Sequence, residues 1–258
     1  MIVTTVDRTA LETKVKGMYT DVATTPHGHF HFEMGRAMAA RLGYATGDLD
    51  RVPKDAIDSF AGVGHFFHLA DLTLGEQVVD LGSGSGMDTF VASLQVGPTG
   101  RVVGVDMTDA QLAKAERLAR SAGFQNVTYR KAYIEDTGLD SGSFDCVISN
   151  GVINLAADKG RVFQEAARLL RTGGRFAIAD IVTEMPLPDG VVCNADLWAA
   201  CIGGAAQQDE YRAAIEAAGL RIERVEENPQ YQFLSDNAKG ATAKWGVKSV
   251  SILARKVA

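Results

Sequence analysis

Asp80 and Asp106 each close a Val-rich run, in "VVDLG" and "VVGVDM". Between them lies "GSGSGMD", with Gly82, Gly84 and Gly86 alternating around Ser83. Glycines this dense in one bend let a ligand approach the main chain. Three ligands compete for the bend. A P-loop requires a Lys after its last glycine, and Met87 stands there instead. A dinucleotide requires G-x-G-x-x-G, but the third glycine falls one residue early, and Asp80 would repel a pyrophosphate. The same acid attracts an ammonium or a sulfonium. S-adenosylmethionine carries both cations and no phosphate, so the bend is read as its site. Asp106 then suits the two ribose hydroxyls, as an acid at the end of the second strand does in dinucleotide folds. Met107 suits the adenine face. In "AYIED", Ile134 and Glu135 suit the adenine ring and its amino group.

The histidines form a second group. All five fall between residues 27 and 68, three of them in "PHGHFHF". As an extended strand, His27, His29 and His31 would share one face. No acid or cysteine stands beside them to complete a ligand set, so no metal is assigned. His29 and His31 are candidates for a general base or a substrate anchor, because imidazole titrates near neutrality. The competing reading is a cap rich in His and Phe that packs on the core. Tyr19, Phe30, Phe32, Phe66, Phe67, Trp198 and Trp245 divide in the same way between an aromatic pocket, able to hold a sulfonium by cation–π contact, and plain core. Of the three cysteines, Cys146 sits inside a strand and reads as a small core residue, while Cys193 and Cys201 lie in a later helical stretch.

These residues need a scaffold at fixed strand ends. From Leu74 onward, "EQVVDLG", "GRVVGVDM", "NVTYRKA", "FDCVISNG" and "GRFAIADIV" read as strands. Helical patterns separate them. In "TDAQLAKAERLARSAG", Thr108 and Gln111 fit a capping box, Leu112, Ala115, Leu118, Ala119 and Ala122 make an apolar stripe, and Gly123 fits the helix exit. "KGRVFQEAARLLRTGG" repeats the pattern. Alternating strands and helices predict an α/β fold with a parallel, doubly wound sheet. The expected organisation is a helical N-terminal cap over residues 1–70, a cofactor-binding core over 71–183, and C-terminal cap helices with final strands over 184–258. "LRIERVEE" and "VKSVSILARKV" alternate at period two and suit late edge strands, with antiparallel pairing open to them.

The chain has 258 residues, 46% hydrophobic, with a formal net charge of -6. That balance and the lack of a Lys/Arg run argue against a nucleic-acid or anionic-membrane surface. No apolar stretch approaches a membrane span. An odd cysteine count reads as free thiols in a reducing cytosol, so a cytoplasmic location is expected.

With these residues in hand, the chain resembles a known family. "VVDLGSGSGMDTF", "GRVVGVDMT", "SNGVINLAADKGRVFQEAARLLRTGGR", "IADIV" and "ACIGGA" are similar to the arsenite S-adenosylmethionine methyltransferases, a branch of the class I methyltransferases. The resemblance runs from about Val15 to Tyr211. It implies a seven-stranded Rossmann-like core, and it implies that Asp80, Gly82, Gly84, Asp106, Met107, Ile134, Glu135 and Asn150 face the cofactor, with Tyr19 covering it. It also locates differences. The family places cysteines where this chain has Val63 and Gly151, and a third where it has Cys201. Soft thiolates bind trivalent arsenic, so tight capture by three thiolates is not expected. The reading is a methyltransferase for a small-molecule acceptor, with Asn154, Trp198 and Cys201 as substrate-side candidates, acting as a monomer or homodimer. Arsenite methylation with a reduced thiol set, and a cofactor-binding protein without transferase activity, are the alternatives.

Overall fold

The structure is a computed structural model that describes residues 7–192, 203–234 and 236–257. Five parallel strands make its centre: β1 (Gln77–Leu81), β2 (Arg101–Asp106), β3 (Val127–Lys131), β4 (Phe144–Asn150) and β5 (Leu170–Thr183). A two-residue β6 (Ala206–Gln207) pairs with β5. β7 (Leu220–Glu227) and β8 (Lys248–Lys256) complete the sheet, and the order is β3-β2-β1-β4-β5-β8-β7. The two late strands are antiparallel, a pairing their alternation allows. β8 is not an edge: it lies between β5 and β7.

The central strands are buried on both faces, which is why they read as near-continuous Val and Ile. Successive residues serve opposite faces. Val78, Val102, Cys146 and Ile148 join one apolar cluster, while Val79, Val103, Val105 and Val147 join the other. The second cluster is closed by α8 (Lys159–Leu169), through Val162, Phe163, Ala166 and Leu169, and by the helix Gln208–Ala217, through Tyr211 and Ile215. Each such large side chain contributes about 1.5–3 kcal/mol by leaving water.

The first cluster is covered by α6 (Met87–Val96), α7 (Asp109–Ala122) and the N-terminal segment, whose helices are α1 (Arg8–Thr24), α2 (Arg36–Leu42), α3 (Thr46–Leu49), α4 (Lys54–Asp58) and α5 (Phe67–Ala70). Gly123 ends α7 in a left-handed conformation, as expected. The capping box does not form: Thr108 makes no side-chain cap. Ala122 is exposed, so the stripe on α7 ends at Ala119.

The segment from His27 to His31 is not a strand. Gly28 turns back on the Thr25 carbonyl, and bends follow. Pro26 and Gly28 both disfavour a strand here, which outweighs the alternation of the histidines.

Candidate functional site

Strand order reverses between β1 and β4, and in such sheets a crevice opens beyond the carboxyl ends of the strands. A cavity of about 440 Å³ lies there. It gathers Asp80 from the end of β1, Asp106 from the end of β2, Ile134 and Glu135 from the loop after β3, and Asn150 from the end of β4. Asp80 and Asp106 therefore share one pocket. Tyr19, Gly82, Ser83, Gly84 and Met107 line it as well.

The bend of residues 82–86 hugs the sheet. The N–H groups of Gly82 and Ser83 donate to the Val105 carbonyl, and the Gly84 N–H donates to Asp106 Oδ2 at 3.0 Å. Gly84, at φ +52°, has no protein atom nearer than 3.7 Å to where a Cβ would stand, so its side toward the cavity is open. Gly86 serves differently: it is not on the cavity wall, and a Cβ there would strike the Tyr129 hydroxyl at 2.3 Å. It lets Tyr129 pack beneath the bend.

Asn150 lines the cavity, but its amide is engaged by the protein. Oδ1 accepts from the N–H groups of Val63 and Gly64, and Nδ2 contacts the Tyr44 hydroxyl, the Gly64 carbonyl and Asp88 Oδ2. Asn154 is fully buried and off the cavity wall. Its Nδ2 donates to the Gly151 carbonyl and to Asp180 Oδ1. Among the described residues it does not reach a ligand in this pocket.

The histidine candidates also lie away from it. His29 is exposed, and neither His29 nor His31 lines the cavity. His31 packs edge-on against Phe32, which stacks on Tyr19, so His31 is two rings removed from the cavity wall. Phe66 and Phe67 are core residues; among the described residues, the aromatic rings on the wall are Tyr19, Phe60 and Tyr133. Cys146 is buried in the sheet, and burial pushes its thiol up to about 12. Cys193, Trp198 and Cys201 lie outside the described residues.

Among the described residues, seven acidic side chains and two arginines line the cavity, which favours a cationic guest. Burial raises Asp106 and Glu135 above the usual carboxylate range, and burial with the neighbouring Asp88 raises Asp80 well above it. Ser83 lines the cavity, while its buried Oγ lies toward Gly104 of β2 and has no hydrogen-bond partner among the described residues. An open glycine and an acidic wall together fit a ligand with a cationic amino-acid end and a polar sugar.

Three contributors escaped sequence reasoning. Asp88 is buried on the wall one residue into α6. Gln111 leaves its capping role: Nε2 donates to the Tyr19 carbonyl, and Oε1 accepts from Ser85. Tyr133 donates to Glu12 on α1 at 2.5 Å and takes a hydrogen bond from Lys16, clasping α1 over the cavity mouth.

Comparison with known proteins matches this geometry to a family. The chain is 40% identical over 197 residues to an arsenite methyltransferase of Halobacterium salinarum, covering 76% of this chain and 50% of that one. It spans about half the length of the curated relatives it matches. The crystal structure of an arsenic(III) S-adenosylmethionine methyltransferase from Chlamydomonas reinhardtii superposes with a TM-score of 0.63 at 31% identity, over 88% of this chain and 75% of that one. Geranyl diphosphate C-methyltransferase from Streptomyces coelicolor, solved with S-adenosyl-L-homocysteine, shares the fold at a TM-score of 0.66 and 18% identity, over 96% of this chain and 98% of that one. Residues 72–219 match the family model described as a methyltransferase domain. They hold all five parallel strands and the glycine bend, and the chain belongs to that family.

Proposed function

We propose that the chain is an S-adenosylmethionine-dependent methyltransferase for a small-molecule acceptor. One observation carries the reading: Asp80 and Asp106, from neighbouring strand ends, face one acidic cavity beside an open glycine bend. In this reading Asp80 receives the cationic amino-acid end. Asp106, already held by the N–H groups of Gly84 and Thr108, receives the ribose hydroxyls. Ile134 and Met107 flank the adenine, and Glu135 accepts from its amino group. The start of α6, whose Met87 lies on the wall, suits a carboxylate. When bound, S-adenosylmethionine supplies an activated methyl group on a good leaving group. The protein then has to align the acceptor and exclude water, and no acid–base triad is required. Phe60, Val152 and Leu155 give the cavity an apolar side suited to an acceptor.

The acceptor is proposed to be an organic molecule or a soft atom held by fewer thiols than three. The cysteine described by the structure, Cys146, is buried in the sheet and off the cavity wall. The names of the relatives favour a second reading, arsenite methylation with Cys201 and thiols carried by the substrate. Incubation with arsenite, glutathione and S-adenosylmethionine separates the two. Methylated arsenic that disappears in Cys201→Ser establishes the second. Its absence, together with S-adenosylhomocysteine formed from an organic acceptor, establishes the first. A chain that binds the cofactor but forms no S-adenosylhomocysteine with any acceptor is a binding protein instead.

A further inference from the structure

Asp80 and Asp88 are buried on the wall of the same cavity, and among the described residues neither is ion-paired. Their partners are neutral. Asp88 Oδ1 accepts from the Tyr44 hydroxyl at 2.6 Å, and Oδ2 from Asn150 Nδ2 at 3.0 Å. Asp80 Oδ2 accepts from the Thr89 hydroxyl at 2.7 Å. Thr89 follows Asp88 directly, so the first turn of α6 supplies one of the two carboxyl groups and the hydroxyl that holds the other. Two desolvated carboxylates with no counter-ion cannot both ionise without large cost, and either an added proton or an added cation relieves it.

We propose that Asp80 and Asp88 form a proton-linked cation receptor, which retains a proton on one of its carboxyl groups when no cation is present and releases it to solvent when the cationic amino-acid end of the cofactor binds. The inference rests on S-adenosylmethionine as the cofactor, and it goes further by assigning Asp88 a share of the selectivity. The balance is simple. One carboxyl O–H breaks, its proton goes to water, and an ammonium N–H···O contact takes its place. Neutral nucleosides gain nothing from the exchange, so the pair discriminates by charge.

The surroundings agree with this role. Tyr44 approaches Asp88 from the segment between α2 and α3, with the His65 ring 4.8 Å behind it. Asp106 from β2 and Tyr129 from β3 adjoin Asp80, and neither can neutralise it. Glu12, Glu135, Asp136 and Asp158 line the same cavity, and Arg8 and Arg161 are its only basic lining residues among those described. Burial pushes Asp88 up to about 6, and burial with the charge of Asp88 raises Asp80 well above its ordinary value, so both favour holding a proton in the ligand-free site.

Calorimetric titration at pH 7, in two buffers of different ionisation enthalpy, counts the protons exchanged. The probes are S-adenosylmethionine and 5′-methylthioadenosine, a neutral nucleoside thioether. Roughly half to one proton is expected to leave per S-adenosylmethionine bound, with none on adding the neutral probe, and affinity should rise about ten- to a hundredfold from pH 6 to pH 8. Asp88→Asn should abolish the release and weaken binding about tenfold. Tyr44→Phe removes a donor to the ionised form and should increase the release, so the test stands if the Asn variant does not fold. Binding without proton release, equal release with both probes, or undiminished release in Asp88→Asn overturns the inference and leaves the cofactor assignment intact. No binding of S-adenosylmethionine at any pH overturns the cofactor assignment, and the inference with it.

Discussion

The side-chain carbonyl of Asn150 accepts a hydrogen bond from the main-chain N–H of Val63 at 2.8 Å, which ties the tip of β4 to the N-terminal segment across 87 residues of sequence. The Gly64 N–H and carbonyl bond to the same amide. Ser249 and Ser251 of β8 continue the seam, donating to the Val63 and His65 carbonyls at 2.6 and 2.9 Å. The cavity wall is thus closed by a segment that contributes no strand to the sheet.

Replacing Asn150 with Ala should undo this seam. Three main-chain groups of the segment would lose their partner, and Asp88 and Tyr44 would lose a neutral donor. We expect a loss of about 2–4 kcal/mol in urea unfolding. Asn150→Asp would place a third carboxyl beside Asp88, so its deficit should be larger at pH 8 than at pH 5.

Asp106→Ala should weaken S-adenosylmethionine binding by about 1–3 kcal/mol, or roughly ten- to a hundredfold, through lost charge-assisted hydrogen bonds. Because Asp106 also receives the Gly84 N–H, the bend should loosen and the thermal midpoint of the ligand-free protein should fall. Unchanged affinity in calorimetry would remove Asp106 from the site.

The ligand-free protein should lose stability as pH rises from about 4 to 6 on account of Asp88. Its folded value lies above the ordinary carboxylate value, so the folded chain binds the extra proton in that window and gives it up as pH climbs through about 6. Above pH 6, Asp88→Asn should therefore be more stable than the parent by about 1–3 kcal/mol in the absence of cofactor. A variant less stable than the parent at both pH 5 and pH 8 would show that the carboxylate serves packing alone.

His29→Ala should leave kcat within about twofold of the parent, since an exposed imidazole off the cavity wall cannot reach a proton on the acceptor. His31→Ala should act through Phe32 and Tyr19, raising the KM for cofactor more than it lowers kcat. A kcat loss of a hundredfold in either variant would restore the general-base reading.

Asp80 and Asp106 were legible because each stands where a Val-rich run meets a glycine or a turn, and Glu135 because it follows the third strand; in a parallel sheet such positions share one end. Asp88 carried no comparable signal. One residue into α6, an acid looks like an ordinary companion of a helix start, and only the fold shows that this turn faces inward. Gln111 fitted a capping box equally well by spacing, but the approach of Tyr19 supplied a stronger partner. The histidines misled because alternation was weighed without Pro26 and Gly28, which bend the chain. Asn154 stood in a motif shared with the family, yet its buried contact with Asp180 is internal scaffolding.

Val63 and Gly151, the two positions where the resemblance implies cysteines, are in contact with each other. A Cβ built on Gly151, at φ +72°, would lie 3.0 Å from Val63 Cγ1. Gly151 lines the cavity and Val63 does not, so a side chain added at 151 meets Val63 and must also adopt a left-handed backbone. The order of change therefore matters: a slimmer residue placed at 63 first makes room for one at 151, whereas the reverse order begins with crowding.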